Sequence, residues 1–186
     1  GGSTFCELIY GPPGESYQSF INGLELIARK EIEPAIYPLL FLKGAEMNSE
    51  SFRKQYGIET AHRIFTRYVG TYGDINSAEY EELVVSHEMC TIDDFFKFRA
   101  VYFFLFIFTD DIFADMRAFL KKKSLNYVPF IIFLLDYRES WPVSLKSYID
   151  KFEDNVRLEL LTKKEVKADF TKEEIKQIKK SSYALN

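Results

Sequence analysis

β-prone residues gather over Thr4–Tyr10, where Phe5, Leu8, Ile9 and Tyr10 predict a strand that stops abruptly at Gly11-Pro12-Pro13-Gly14. The period then changes. From Tyr17 to Lys30, Phe20, Ile21, Leu24, Ile27 and Ala28 fall on one helical face. Ser16 stands at the N-cap position, with Ser19 three residues on instead of the Glu of a full capping box. A strand, a Gly/Pro elbow and a helix make half of a βαβ unit. The elbow lies at the strand's carboxyl end, where α/β folds keep their ligands. A second extended run, Ala35–Leu42, follows, and Pro38 predicts an edge or a bulge there because it has no N–H to give.

Further along, Ser49–Tyr56 reads as a short helix closed by Gly57. From Ile58 to Ser77 no period holds and Gly70 and Gly73 intervene, which predicts an irregular connection or a loose hairpin. Tyr80–Cys90 reads as extended, with Leu83 and Val85 on one face and Val84 on the other. Thr91 caps a helix with Asp93 and Asp94 in its first turn. From Phe95 to about Lys122 this helix is apolar nearly all round over its middle, so Phe103 and Phe106 are expected to be fully buried. Val128–Arg138 is a second apolar helix, with Pro129 a candidate for its first position, and Pro142 opens a third carrying Val143, Leu145, Tyr148, Ile149, Phe152 and Val156. Leu160–Asp169 is polar, a short strand or a linker. Thr171-Lys172-Glu173-Glu174 is a capping box for a last helix over Lys172–Lys180.

Composition narrows the class. The 186 residues are 47% hydrophobic, with 18 Phe and 12 Tyr, a load that suits an ordered globular body. A net charge of −4 offers no basic field for nucleic acid. Two cysteines make no disulfide framework, so the expected setting is reducing and cytoplasmic. The apolar stretch Ala100–Phe108, closed off by Arg99 and Asp110-Asp111, is far shorter than the roughly twenty residues a spanning helix needs. No membrane span is expected.

The segment Ile9-Tyr10-Gly11-Pro12-Pro13-Gly14-Glu15-Ser16 resembles the "IxGxPGE(T/S)" motif that ends the fifth barrel strand in radical S-adenosylmethionine (radical SAM) enzymes. The similarity runs on through the helix and strand that follow, then Lys43-Gly44-Ala45-Glu46-Met47, Tyr56-Gly57-Ile58 and Glu81-Glu82-Leu83-Val84-Val85-Ser86. That order is similar to the downstream half of radical SAM proteins that often carry an N-terminal cobalamin-binding domain. The resemblance implies an α/β to α+β chain: the last strands of a partial (β/α) barrel over residues 4–47, an irregular connection over 48–90, and a mainly helical C-terminal domain over 91–186. Residues 1–3, Gly-Gly-Ser, read as a cloning remnant. It also implies S-adenosylmethionine and a [4Fe–4S] cluster as cofactors of a parent enzyme, with cobalamin as a further one and the missing N-terminal half of the barrel as a partner. This chain departs from the family in lacking CxxxCxxC, so the cluster ligands are absent and the fragment alone is expected to be inactive. The rival reading is a non-catalytic helical interaction module.

Candidate residues follow from the same motif. The resemblance implies that Ile9 and Gly11 line the adenine side of the cofactor through their backbone, that Gly14 keeps the elbow open, and that Glu15 is the motif's terminal acid. The alternative is a tight strand-to-helix turn with Glu15 as a first-turn carboxylate. No catalytic residue is assigned. The elbow is not a phosphate loop, because GxxxxGK[ST] lacks its Lys. Cys6 and Cys90 read as small buried hydrophobes, although some radical enzymes of the resembled class use a C-terminal cysteine. His62 and His87 have no metal-ligand spacing, and on an extended run His87 and Cys90 point to opposite faces. The aromatic run from Phe95 to Phe113 reads as core rather than a substrate pocket, and Lys121-Lys122-Lys123 as the cationic end of a helix.

Overall fold

In a computed structural model, residues 4–182 are described; the expected remnant at 1–3 lies outside them. Strand β1 (Phe5–Tyr10) and strand β2 (Glu33–Pro38) pair in parallel, connected by helix α1 (Tyr17–Arg29). Ser16 caps α1 in a reciprocal box, because the Ser19 hydroxyl takes the place of the usual Glu: Ser19 N donates to Ser16 Oγ at 3.2 Å and Ser16 N to Ser19 Oγ at 3.0 Å. Phe20, Ile21, Leu24 and Ala28 are buried, so the helical period read from the sequence is the face that packs. Pro38 ends β2. Its missing N–H sits where the strand stops, which is how the sheet accommodates it.

Residues 39–41 then change partner. Leu39 N donates to Tyr10 O at 2.9 Å, while Phe41 N donates to Glu82 O at 2.8 Å and Val84 N to Leu39 O at 3.0 Å. They join the parallel pair to an antiparallel hairpin, β3 (Glu59–Tyr72) and β4 (Ile75–Ser86). Helix α2 (Glu50–Gln55), capped by Ser49 and ended at Gly57 with φ +60°, leads into it. The stretch expected to be irregular or a loose hairpin is thus long, regular sheet. Its apolar residues do not alternate because cross-strand polar pairs hold much of the ladder, Arg63–Glu81 at 2.7 Å and Thr60–Glu82 at 2.7 Å, and Arg53 of α2 joins Glu82 at 2.7 Å. Register shifts between Glu59 and Thr60 and between Phe65 and Val69 are its irregular points.

Helix α3 (Ile92–Thr109) begins at Thr91 and Asp94 in a capping box and ends earlier than expected. Asp110 is extended, its carboxylate accepts from Ile112 N at 3.0 Å, and Arg117 donates Nη1 to the carbonyls of Phe108 and Asp110. Those bonds satisfy the open carboxyl end of α3 and turn the chain into a separate helix α4 (Ala114–Lys122). Helix α5 (Tyr127–Asp136) starts at Asn126, so Pro129 is its third residue and not its first; a missing N–H is harmless there too. Helix α6 (Val143–Glu159) follows Pro142, and helix α7 (Lys172–Ser182) follows Thr171, whose N and Oγ1 both reach Glu174. Leu161 makes a single bridge to His62 within the 160–169 linker.

One core gathers Tyr10, Phe20, Leu24, Ile36, Leu83, Phe95, Phe98, Val101, Ile131 and Ile149, drawing on the parallel pair, the hairpin and four helices. Tyr10 stacks on Phe98 at 4.8 Å and meets Phe20 and Phe95 edge-on or tilted. Phe106 is not in this core. It is 70% exposed, and Phe103 is only half-buried against Tyr148 and Phe152. The all-round apolar pattern of α3 carried no information about which side its neighbours leave bare, and the bare side holds Tyr102 and Phe106. The strands close no barrel among the described residues. No helix among them is long and apolar enough to cross a membrane.

Candidate functional site

The elbow has the backbone its composition requires. Gly11 and Gly14 both hold positive φ, +92° and +90°, and Glu15 N closes the turn on Pro12 O at 3.2 Å. The two glycines differ in surroundings. A Cβ on Gly14 would meet nothing within 4 Å, whereas one on Gly11 would lie 3.9 Å from both Leu39 Cβ and Val84 O. Gly11 is buried, and Ile9, one strand pleat away, is 52% exposed beside its equally open register partner Tyr37. The elbow therefore has one packed side, toward β4, and one open side, carrying Ile9.

The packed side contains residues that the sequence placed elsewhere. His87 and Cys90 do not continue the strand on opposite faces. They form a tight turn, His87 N donating to Cys90 O at 2.8 Å and Cys90 N to His87 O at 3.0 Å, which sets both beside Gly11 and Tyr10. The contact leaves no space for a water molecule. The cue lay in Ser86-His87-Glu88-Met89-Cys90, too short a span between an apolar strand and the Thr91 cap to remain extended.

Electrostatically this corner favours neutral groups. Burial pushes the Cys90 thiol up to about 11, and the Asp94 and Glu15 carboxylates add to that while Lys97 opposes it. Burial lowers His87, against the pull of Glu88, so its ring is neutral. His87 Nδ1 accepts from Met89 N at 3.3 Å, which leaves Nε2 carrying the proton, buried and unpartnered. Burial also raises Glu15, and it raises Tyr10 to about 12 with Arg99 and Arg63 pulling the other way. A neutral thiol is a poor nucleophile and a poor metal ligand.

Cys6, on β1, is half-buried and shares no site with Cys90. His62 lies on β3 beside the linker. Among the described residues, no three His, Cys, Asp or Glu side chains converge as a metal site. These residues do not fit an iron–sulfur cluster, which needs three thiolates together. Comparison with known protein families and with curated proteins gives no match.

Proposed function

We propose that this chain is the C-terminal portion of a radical SAM enzyme, supplying the closing strands of its barrel and a helical domain beside them. One observation carries the reading. The β1–α1–β2 unit covers only one face of its parallel sheet, while the other presents Phe5 (66% exposed), Ile9 and Tyr37, and β1 pairs along a single edge. Parallel strands are ordinarily covered on both faces. The bare face and the free edge suit further strands of a barrel, with the Gly11–Gly14 elbow at the end where such folds bind ligands.

In this reading the open side of Ile9, Gly11, Gly14 and Glu15 meets the adenosine of S-adenosylmethionine. The bound cofactor, reduced by a cluster held elsewhere in the parent, would furnish a 5′-deoxyadenosyl radical; methyl transfer with cobalamin is one variant. The residues of this chain position the nucleoside and exclude water from its packed side. The full reading frame is the first test: CxxxCxxC upstream of Gly1 is expected, and its absence sinks the proposal. In the parent, Gly11→Val, whose branches press on Leu39 and Val84 and so displace the elbow backbone, should weaken S-adenosylmethionine binding, measured by calorimetry on the folded variant. Unchanged affinity in a folded variant would leave Gly11 an ordinary turn residue.

A second reading rests on the apolar side chains that the helices expose. Phe106 on α3, Phe133 and Tyr137 on α5, and Leu158 on α6 are each more than half exposed. They suit a helical module that binds another protein without catalysis.

A further inference from the structure

A cavity lies at the opposite end of the β1–α1–β2 unit from the elbow. It measures about 470 Å³, is open on one side, and is lined by the carboxyl ends of α1, α3 and α4 and the amino end of α5. That volume falls in the range of small-molecule sites. The carboxyl ends of α1 and α4 are built the same way. Glu31 N donates to Ala28 O and Ile32 N to Ile27 O after α1; Ser124 N donates to Lys121 O and Leu125 N to Leu120 O after α4. These are Schellman closures, which normally put glycine at the left-handed position. Here Glu31 (φ 58°) and Ser124 (φ 57°) occupy it, the only non-glycine residues with positive φ among the described residues.

The charges around the cavity are partly spent. Arg29 pairs with Glu25, and Glu31 bridges the two closures to Lys121 at 2.5 Å. Two unlike charges remain without an ion pair among the described residues, Arg117 and Glu33. Arg117 is anchored through Nη1 to two carbonyls, with Nε and Nη2 not engaged in those bonds. Arg117 and Glu33 are not paired with each other, and both line the cavity together with Tyr127. The walls between them are apolar, from Ile32, Leu120 and Leu125. The dipoles point the same way as the side chains: the carboxyl ends of α1 and α4 favour a cation, that of α3 is already met by Arg117, and the amino end of α5 favours an anion.

We propose that this cavity binds a small zwitterion of the α-amino acid class, its carboxylate held by Arg117 and Tyr127, its ammonium by Glu33, and an apolar side chain against Ile32 and Leu125. The assignment is independent of the elbow and of any barrel.

Calorimetric titration of the chain with the standard α-amino acids tests it, followed by two analogues of leucine: 4-methylpentanoate, which lacks the ammonium, and 3-methylbutylamine, which lacks the carboxylate. Aliphatic amino acids should bind, and each analogue should bind about tenfold or more weakly, the usual consequence of leaving a charged partner unmet. Glu33→Gln, on the surface and outside the core, should abolish the preference for leucine over 4-methylpentanoate while leaving melting unchanged. Tyr127→Phe should weaken leucine and 4-methylpentanoate alike. No binding by any amino acid to the folded chain overturns the proposal, as does equal binding of 4-methylpentanoate, which would make the cavity a plain anion site.

Discussion

Asn126 joins two parts of the chain that are 101 residues apart: its Nδ2 donates to the carbonyl of Glu25 at 3.0 Å while its Oδ1 caps α5 through Val128 N at 2.9 Å. One side chain thus starts a helix and fixes it to α1. Asn126→Ala should cost about 2 kcal/mol, roughly one for the cap and one for the cross-link. Asn126→Asp keeps the cap and loses the donor, so denaturant melts should place it about midway.

The two ends of the aromatic run on α3 should respond very differently. Phe98, 2% exposed and stacked on Tyr10, is expected to cost about 3–5 kcal/mol on truncation to Ala. Phe106→Ala should stay within about 0.5 kcal/mol of the parent, as a surface change does. Chemical denaturation of both variants checks the contrast.

Gly11→Ala and Gly14→Ala should each destabilise the chain by about 1–3 kcal/mol, because both impose a Cβ on a left-handed backbone and neither Cβ would clash. Gly11→Val should be clearly worse than either. Its branches extend toward Leu39 and Val84, which are already at contact distance from the first carbon. Thermal melts of the three variants order them.

Acid should weaken the fold through His87. Its folded-state pKa lies below the ordinary 6.5, so between those values the unfolded chain binds the extra proton and stability is lost as pH falls from 6.5 toward the folded value. His87→Asn keeps an acceptor for Met89 N and removes the titration. The variant's stability, followed by urea melts from pH 7 to pH 5, should change less than the parent's. Glu82 acts lower on the scale. Burial raises its carboxyl, but hydrogen bonds from Thr60 and Arg53 outweigh that and hold it below 4.5, so its contribution is present above 4.5 and fades as pH falls further.

Alkylation should separate the two thiols. Iodoacetamide at neutral pH is expected to label Cys6, which is partly accessible, and to spare Cys90, which is 4% exposed and almost wholly protonated. Denaturant should bring the second label on. Rapid double labelling of the folded chain, read by mass spectrometry, would contradict the placement of Cys90.

What was legible in the sequence was whatever local chemistry decides alone. The Ser16, Thr91 and Thr171 caps, the helical face of α1 and the strand–elbow–helix order all rest on neighbours within a few residues. The hairpin was half legible: Tyr80–Cys90 reads as extended and a loose hairpin is one reading of Ile58–Ser77, but the first strand shows no period because cross-strand pairs such as Arg63–Glu81, 18 residues apart, hold it. The break in the long apolar helix depended on Arg117 reaching back to Phe108 and Asp110. At the site, the Gly11 and Gly14 backbone could be read from residue type. The company of His87 and Cys90 could not, because a turn of the chain brings them there.

The last helix does not share the main core. Phe170 and Ile175 pack with Val69 into a small cluster of their own, supported by Ile64, Tyr80 and Ile178 on the hairpin and α7. Among the described residues this satellite has little apolar area to hold it, so α7 and the outer hairpin are expected to open as a unit without disturbing Tyr10 and its neighbours, which amide hydrogen exchange would report. Amide hydrogens there exchange through this shallow excursion, while those of α3 wait for the whole molecule to unfold.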